Sequence, residues 1–150
     1  MSDLRELYQE VILDHSKHPK NYHKMEDATH IAEGFNPLCG DHFYLYLKVD
    51  DGVIKDISFE GAGCAISKAS ASIMTSIVKG KTIEEAEKIF KDFHLFVTGN
   101  ADKNFDPNSL GKLAVFSGVS EYPVRVKCAT LAWHTLINAV KNKNEVATTE

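Results

Sequence analysis

Apolar side chains occupy every second position from residue 43 to 49, and the positions between them are polar or aromatic. This period of two is typical of a strand that buries one face. Asp51-Gly52 follows directly and is a strong signal for a two-residue hairpin turn. We therefore predict an antiparallel hairpin whose second strand covers residues 53–59, with Val53, Ile57 and Phe59 on one face.

Other segments repeat apolar residues with helical spacing. In the first, His15 and His18 stand near the predicted C-terminal end, where we expect solvated residues that complement the helix dipole. Thr82 and Glu85 form a capping box, and the last helix opens at Ser120. The predicted helices cover residues 4–17, 65–78, 83–93, 120–140 and a short stretch near 109–116, with a first strand over 29–36 and loop-like sequence over 94–111.

A chain of 150 residues is long enough for one domain with a real core. We assign residues 1–140 to a single α+β domain and residues 141–150 to a polar tail that we expect to be frayed. The formal charge of -4 argues against nucleic-acid binding. No apolar run approaches the roughly 18 residues of a membrane span, and the first residues lack a signal-peptide core, so we expect a cytoplasmic protein with no membrane partner.

Three cysteines cannot all pair with one another, and cytosolic thiols stay reduced. Metal binding, catalysis or core burial therefore remain as their functions. Extending the register of a two-residue Asp51-Gly52 turn places Cys39 opposite Cys64, where Cα atoms are about 4.5–5.5 Å apart. Glycines at 40, 61 and 63 favour a bulge that would shift this register at the cysteine end.

Asp41 lies two residues after Cys39, so both side chains project to one side of an extended segment. Cys64 stands where a helix begins, and the dipole there favours a thiolate. Cys128 falls on the apolar side of the last helix and, taken alone, is typical of a buried core cysteine. Taken together, Cys39, Asp41, Cys64 and Cys128 supply the four ligands of a tetrahedral zinc site.

Such a site carries a net charge of -2, so nearby cations would lower the pKa values of the thiols. Arg125 lies one turn before Cys128 on the same helix face, and we predict a supporting role for it. Lys127 precedes Cys128, and Lys68 follows Cys64 by one turn. For these two lysines a site role and an ordinary surface role stay open.

Five ordered blocks resemble the U-type iron–sulfur cluster assembly family, IscU and SufU, over residues 4 to about 140. The blocks are LYQEVILDH (7–15), PKN (19–21), NPLCGD (36–41), GAGCAIS (61–67) and VKCATLAW (126–133). The resemblance implies an α+β fold in which a small three-stranded antiparallel sheet packs against about five helices. IscU-type scaffolds carry histidine before the third cysteine, where this chain has Lys127, and a shorter interval than the 63 residues between Cys64 and Cys128. Both features are similar to the SufU branch.

The SufU resemblance implies zinc held by Cys39, Asp41, Cys64 and Cys128, and a persulfide sulfur accepted on Cys39. It also implies a partner, a PLP-dependent cysteine desulfurase of the SufS type, and a downstream iron–sulfur scaffold. If the chain is an enzyme, it resembles a zinc-dependent sulfurtransferase. Because a zinc-bound thiolate is a poor nucleophile, we hypothesise that the docked desulfurase supplies a replacement ligand and frees Cys39.

Two other functions fit the same residues. The first is a scaffold that assembles a labile, transient [2Fe–2S] cluster on the three cysteines. The second is a non-catalytic zinc module that only binds other proteins. Metal analysis separates the scaffold from a sulfur-transfer protein, because the scaffold would contain iron and labile sulfide and the transfer protein zinc. A desulfurase assay separates the zinc module from a sulfur-transfer protein, because the module would not stimulate the desulfurase.

Overall fold

Three antiparallel strands, in the order β1–β2–β3, form a sheet that helices cover on one face. The computed structural model describes residues 2–141 and Ala147, with side chains from Glu6 onward. This architecture confirms the predicted α+β class. The elements are α1 (Ser2–Lys17), β1 (His30–Asn36), β2 (Asp41–Asp50), β3 (Val53–Ala62), α2 (Ala65–Val78), α3 (Ile83–Val97), a 3₁₀ helix (Pro107–Phe116), a 3₁₀ turn (Val119–Glu121) and α4 (Pro123–Val140).

The central strand β2 buries the face that its alternating sequence predicts. Phe43, Leu45 and Leu47 are each at most 2% exposed. Asp41 shares the parity of these residues and is also fully buried, so the buried face ends in a carboxylate. The pattern that builds the core therefore also carries an acidic side chain inward.

The β2–β3 turn is the predicted two-residue turn. Asp51 and Gly52 both have positive φ, 52° and 73°, as a type I′ turn requires. A bulge between Lys48 and Val49 then shifts the register by one residue, so that Lys48 pairs with Asp56. As a result Ile54, rather than the predicted Val53, is fully buried beside Ile57 and Phe59.

This bulge corrects the predicted pairing of Cys39 with Cys64. The bulge lies near the turn and not at the glycine-rich end, and its shift persists along the hairpin to His42, which pairs with Ala62. Moreover, β2 begins at Asp41, so Cys39 lies before the strand and has no cross-strand partner in it. The two cysteines are not opposed residues of one ladder.

Helix α2 is the centre of the helical layer and is buried along most of its length. Its small residues let neighbouring helices approach closely; Ser70 Oγ donates a 2.6 Å hydrogen bond to the carbonyl of Ala129 in α4. On the other side of α4, a Cβ on Gly34 of β1 would stand 2.1 Å from Thr135 Oγ1. Glycine at this position therefore allows α4 to lie directly on β1.

The helix boundaries differ from the predictions at two places. The capping box of Thr82 and Glu85 is present, but α3 continues past the predicted residue 93 to Val97 because Phe93 and Val97 are both buried in the core. The last helix begins at Pro123 with Tyr122 at the N-cap position, whereas Ser120 lies in the preceding 3₁₀ turn.

His15 is another correction, because it is buried and not solvated. Its Nδ1 lies 2.7 Å from Ser72 Oγ of α2, and burial, aided by nearby Lys112, lowers its pKa. His18 is exposed, as expected. The predicted tail, 141–150, falls outside the described residues except for Lys141 and Ala147, whose N–H donates to Glu33 O at 2.8 Å.

No helix in the described ranges has both the length and the apolar character needed to cross a bilayer.

Candidate metal centre

Cys39 lies on a four-residue hairpin loop, 37–40, that joins two paired residues, Asn36 and Asp41. The loop is closed by a 2.8 Å hydrogen bond from Gly40 N–H to Asn36 O and by a second from Leu38 N–H to Asn36 Oδ1. Gly40 adopts φ +72°. All four loop residues are exposed, so the Cys39 thiol is presented at the surface.

Asp41 is held against the start of α2. Its Oδ1 accepts a 2.8 Å hydrogen bond from the backbone N–H of Cys64. A Cβ on Gly63 would come within 2.9 Å of the same oxygen and 2.6 Å of Ser67 Oγ, so this approach requires glycine. The carboxylate is thus fixed by a strand and by the N-terminus of a helix together, and the helix dipole there favours its negative charge.

Cys64 is the N-cap residue of α2, and its Sγ accepts a hydrogen bond from Ser67 N–H at 3.4 Å. The same sulfur lies 3.9 Å from Asp41 Oδ2. Hydrogen bonding from Cys128 is the largest effect on its acidity and, with the bonds from Ser67, lowers the pKa of Cys64 to about 6 against the opposing effects of burial and Asp41. In this setting Cys64 is a thiolate at neutral pH, as its place at a helix start predicts.

Cys128 reaches the same place from α4 and is buried. Its Sγ lies 3.1 Å from Cys39 Sγ and 3.9 Å from Asn36 Nδ2. The hydrogen bond to Cys64, followed by burial, raises the pKa of Cys128 far above its usual range. The two shifts are opposite in direction, so Cys128 holds its proton while Cys64 loses its own more easily.

All four sequence-predicted ligands lie in one neighbourhood. Cys39, Asp41 and Cys128 each offer a ligand atom within 4.8 Å of the others, and Cys64 adjoins this set through Asp41 and Cys128. Within the described residues, no lysine or arginine forms an ion pair with Asp41. A divalent ion such as zinc would neutralise this buried carboxylate, which has no cationic side chain beside it. The carboxylate and the thiols are also ligands that zinc accepts.

The charged groups of Arg125 and Lys68, which the sequence predicted to lie near the site, contact aromatic rings instead. The Arg125 guanidinium is 4.5 Å from the ring centroid of Tyr122, and Lys68 Nζ is 5.4 Å from that of Tyr22. In the part of the chain that the structure describes, no side-chain hydrogen bond or ion pair joins the charged groups of Arg125, Lys68 or Lys127 to the four candidate ligands, although the backbone N–H of Lys68 donates to Cys64 O at 3.0 Å. Arg125 also lines a groove of about 650 Å³ between α1 and the start of α4.

Sequence reasoning missed the residues that hold the ligands in place. Asn36 is fully buried, closes the Cys39 loop and contacts Cys128. Ser67 donates its N–H to the Cys64 sulfur, and Gly63 makes room for Asp41. Ser67 had a usable signal, because a residue three positions after an N-cap is the one whose N–H the cap receives. The role of Asn36 depends on Cys128 of α4, which lies 92 residues further along the chain, and no local signal marks it.

Comparison with known proteins places this chain among relatives. The NifU-like N-terminal domain family matches residues 7–129, which is most of the chain. The chain belongs to this family. The match confirms the U-type resemblance, and the aligned range includes all four candidate ligands.

Curated relatives of this family carry two kinds of name. The chain is 45% identical over 135 residues to the iron–sulfur cluster assembly scaffold protein IscU of Thermotoga maritima, covering 90% of this chain and 93% of the relative. It is 42% identical over 140 residues to the zinc-dependent sulfurtransferase SufU of Bacillus subtilis, covering 93% and 92%. Both names occur at nearly the same identity.

A solved structure of the family has the same fold. The crystal structure described as a putative iron–sulfur cluster assembly scaffold protein for the SUF system, from Fervidobacterium islandicum, superposes with a TM-score of 0.82 at 43% sequence identity. The match covers 90% of this chain and 97% of that one. The likeness thus extends over nine tenths of this chain.

Proposed function

We propose that this protein is a zinc-dependent sulfur acceptor of iron–sulfur cluster biogenesis. It receives persulfide sulfur on Cys39 from a PLP-dependent cysteine desulfurase of the SufS type, with PLP on that partner, and passes the sulfur to a downstream scaffold. We place this activity in the cytoplasm, where thiols stay reduced. Cys39, Asp41, Cys64 and Cys128 hold the zinc, and Arg125 supports the site.

The observation that carries the proposal is the buried carboxylate of Asp41 among three thiols. A carboxylate that is fully buried without a cationic side chain is costly unless a cation neutralises it. Thiolate and carboxylate together suit zinc, and the harder oxygen ligand is the more exchangeable one. Zinc, when bound, keeps the cysteine thiols deprotonated at neutral pH.

The four residues divide into fixed and movable ones. Asp41, Cys64 and Cys128 stand on a strand and two helices and are buried or half-buried. Of the four, Cys39 alone is on an exposed loop, which is closed by two hydrogen bonds that Asn36 accepts from the backbone N–H groups of Leu38 and Gly40. Cys39 is therefore the ligand that can leave the proposed metal site and contact a partner protein without disturbing the core.

The transfer step follows from thiol chemistry. The Cys39 thiolate attacks the outer sulfur of the desulfurase persulfide, so that a sulfur–sulfur bond forms at Cys39 while the bond to the desulfurase cysteine breaks. The desulfurase cysteine leaves as a thiolate, and no net oxidation occurs. Arg125, on the first turn of α4, packs on the ring of Tyr122, and its positive charge would favour the approach of an anionic persulfide to this side of the protein.

Mass spectrometry after turnover with desulfurase and cysteine tests the assignment. We expect one extra sulfur atom on the peptide that contains Cys39 and its loss in Cys39→Ala. His23→Gln, at an exposed position away from the cluster, is the matched control and keeps the extra sulfur. An extra sulfur that persists in Cys39→Ala would sink the assignment.

The alternative is a scaffold for a transient [2Fe–2S] cluster, and the name of the Thermotoga maritima relative favours it. The same three cysteines would bind such a cluster. Metal analysis after purification without air separates the two functions. One zinc per chain supports sulfur transfer, whereas iron with labile sulfide supports the scaffold. A purely structural zinc module would bind zinc yet leave the desulfurase rate unchanged.

A further inference from the structure

Two histidines from different helices meet at a site that the sulfur chemistry does not use. His94, in the last turn of α3, and His134, in α4, have ring centroids 5.8 Å apart at an interplanar angle of 82°. Together with Phe90, Lys91 and Leu95 they line a pocket of about 260 Å³. Imidazole pairs of this kind are frequent ligands of transition metals.

The spacing of the two rings matches a shared ion. With metal–nitrogen bonds of about 2.0–2.1 Å, two imidazoles on one tetrahedral ion have centroids about 5.2 Å apart. The observed separation of 5.8 Å exceeds this value by about 0.6 Å, which small side-chain rotations can supply.

The surroundings orient both rings and leave their nitrogens available. Phe90 contacts His94 at 5.7 Å and His134 at 5.2 Å between centroids, and it stacks on the buried Trp133. Among the described residues, no hydrogen bond to either imidazole is found. Burial, and then His94, lowers the pKa of His134, so this ring is in the neutral form that binds metals.

We propose that His94 and His134 form a second, weaker site for a divalent transition-metal ion such as Ni²⁺ or Zn²⁺, separate from the cysteine cluster. Two imidazoles leave the remaining coordination positions to water, and the positive charge of Lys91 at the pocket opposes a cation. Binding is therefore weaker than at a four-ligand site. His134 follows Cys128 by six residues on α4, a rise of about 9 Å, so the two sites use different parts of the helix.

Equilibrium dialysis of zinc-loaded protein against Ni²⁺ tests this site, because nickel is distinguishable from the zinc already bound. We expect the wild type to take up one nickel per chain while it keeps its zinc. His94→Gln and His134→Gln lose the nickel and keep the zinc, which also shows that they are folded. His18→Gln, which changes an exposed histidine on α1, behaves as the wild type.

A measurement on the wild type alone guards against variants that fail to fold. Paramagnetic Ni²⁺ should broaden the NMR signals of His94 and His134 before those of the other five histidines. The proposal is overturned if the wild type takes up no nickel, if uptake is matched by zinc loss, or if broadening begins at other histidines. It is equally overturned if His94→Gln and His134→Gln each bind as much nickel as His18→Gln. The two histidines would then contribute only aromatic packing.

Discussion

The turn between β2 and β3 consists of two residues, whereas the connection between β1 and β2 spans residues 37–40. Asp51 and Gly52 form the short turn by their own preference for positive φ. The longer loop takes its shape from Asn36, whose side chain is buried against Cys128 of a distant helix. One end of β2 is thus specified locally, and the other end is specified by tertiary contacts and bears the candidate ligands.

The two ends of β2 also differ in whether they can hold a metal-binding residue. The residues of the β2–β3 turn are exposed, and both adopt the positive φ that their residue types favour. At the other end, Asp41 is buried between a strand and the N-terminus of α2, and its charge needs a partner from outside the described side chains. We expect substitutions at the two ends to separate metal affinity from stability.

Replacing Asp41 should have the largest effect on metal binding. Asp41→Ala removes one of the four proposed ligands, so we expect zinc affinity to fall by more than the roughly 100-fold that loss of a supporting group around a ligand can cause. Asp51→Ala, at the other end of the sheet, leaves zinc affinity unchanged. Competition with a chromophoric zinc chelator measures both. Equal affinities in the two variants would remove Asp41 from the ligand set.

Glycine substitutions make the same comparison for packing. In Gly63→Ala the new Cβ would lie 2.6 Å from Ser67 Oγ and 2.9 Å from Asp41 Oδ1. We expect a loss of about 1–3 kcal/mol in the free energy of unfolding of the metal-free protein, together with weaker zinc binding. Urea denaturation and the same chelator competition give the two values.

The matched control is Gly52→Ala. Its Cβ meets no atom within 4 Å, but the residue has φ +73°. We expect a loss of about 1 kcal/mol from backbone strain, with no change in zinc affinity. If Gly63→Ala were no more destabilising than Gly52→Ala and bound zinc normally, the proposed tight contact at Asp41 would be wrong.

The smallest effect is the pH dependence of Cys64 in the metal-free protein. Because its pKa is lowered to about 6, the thiolate dominates above that pH and is lost as the pH falls through it. The rate of Cys64 alkylation should therefore increase as the pH rises through about 6 and then level off. In Cys128→Ala the main hydrogen bond is gone, so the midpoint should move up toward the usual value of about 8.5. The same midpoint of the alkylation rate in the wild type and in Cys128→Ala would contradict this account.

The sequence was sufficient for the elements whose signals are local. The alternation over 43–49, the Asp51-Gly52 turn and the capping box of Thr82 and Glu85 all recur in the structure. The bulge at Lys48 has no such signal, and it moved the register by one residue along the hairpin. The end of α3 was also missed, because tertiary burial of Phe93 and Val97 extends it.

For the site, residue types and a family resemblance were sufficient to gather the candidates, but not to place them. The structure brings Cys39 to Cys128 and not opposite Cys64, because Cys39 lies on a loop rather than in the ladder. Arg125 was singled out from helix spacing alone, and side-chain packing against Tyr122 could not be foreseen from that spacing. His15 was judged from its helix position, and the contact with Ser72 on another helix reverses that judgement.

X-ray absorption at the zinc edge, on protein purified without air, tests the central claim most directly. The account predicts three sulfur ligands at about 2.3 Å and one oxygen at about 2.0–2.2 Å, with the oxygen lost in Asp41→Ala. Four sulfur ligands, a shell of nitrogen and oxygen only, or iron with sulfide in place of zinc would contradict it.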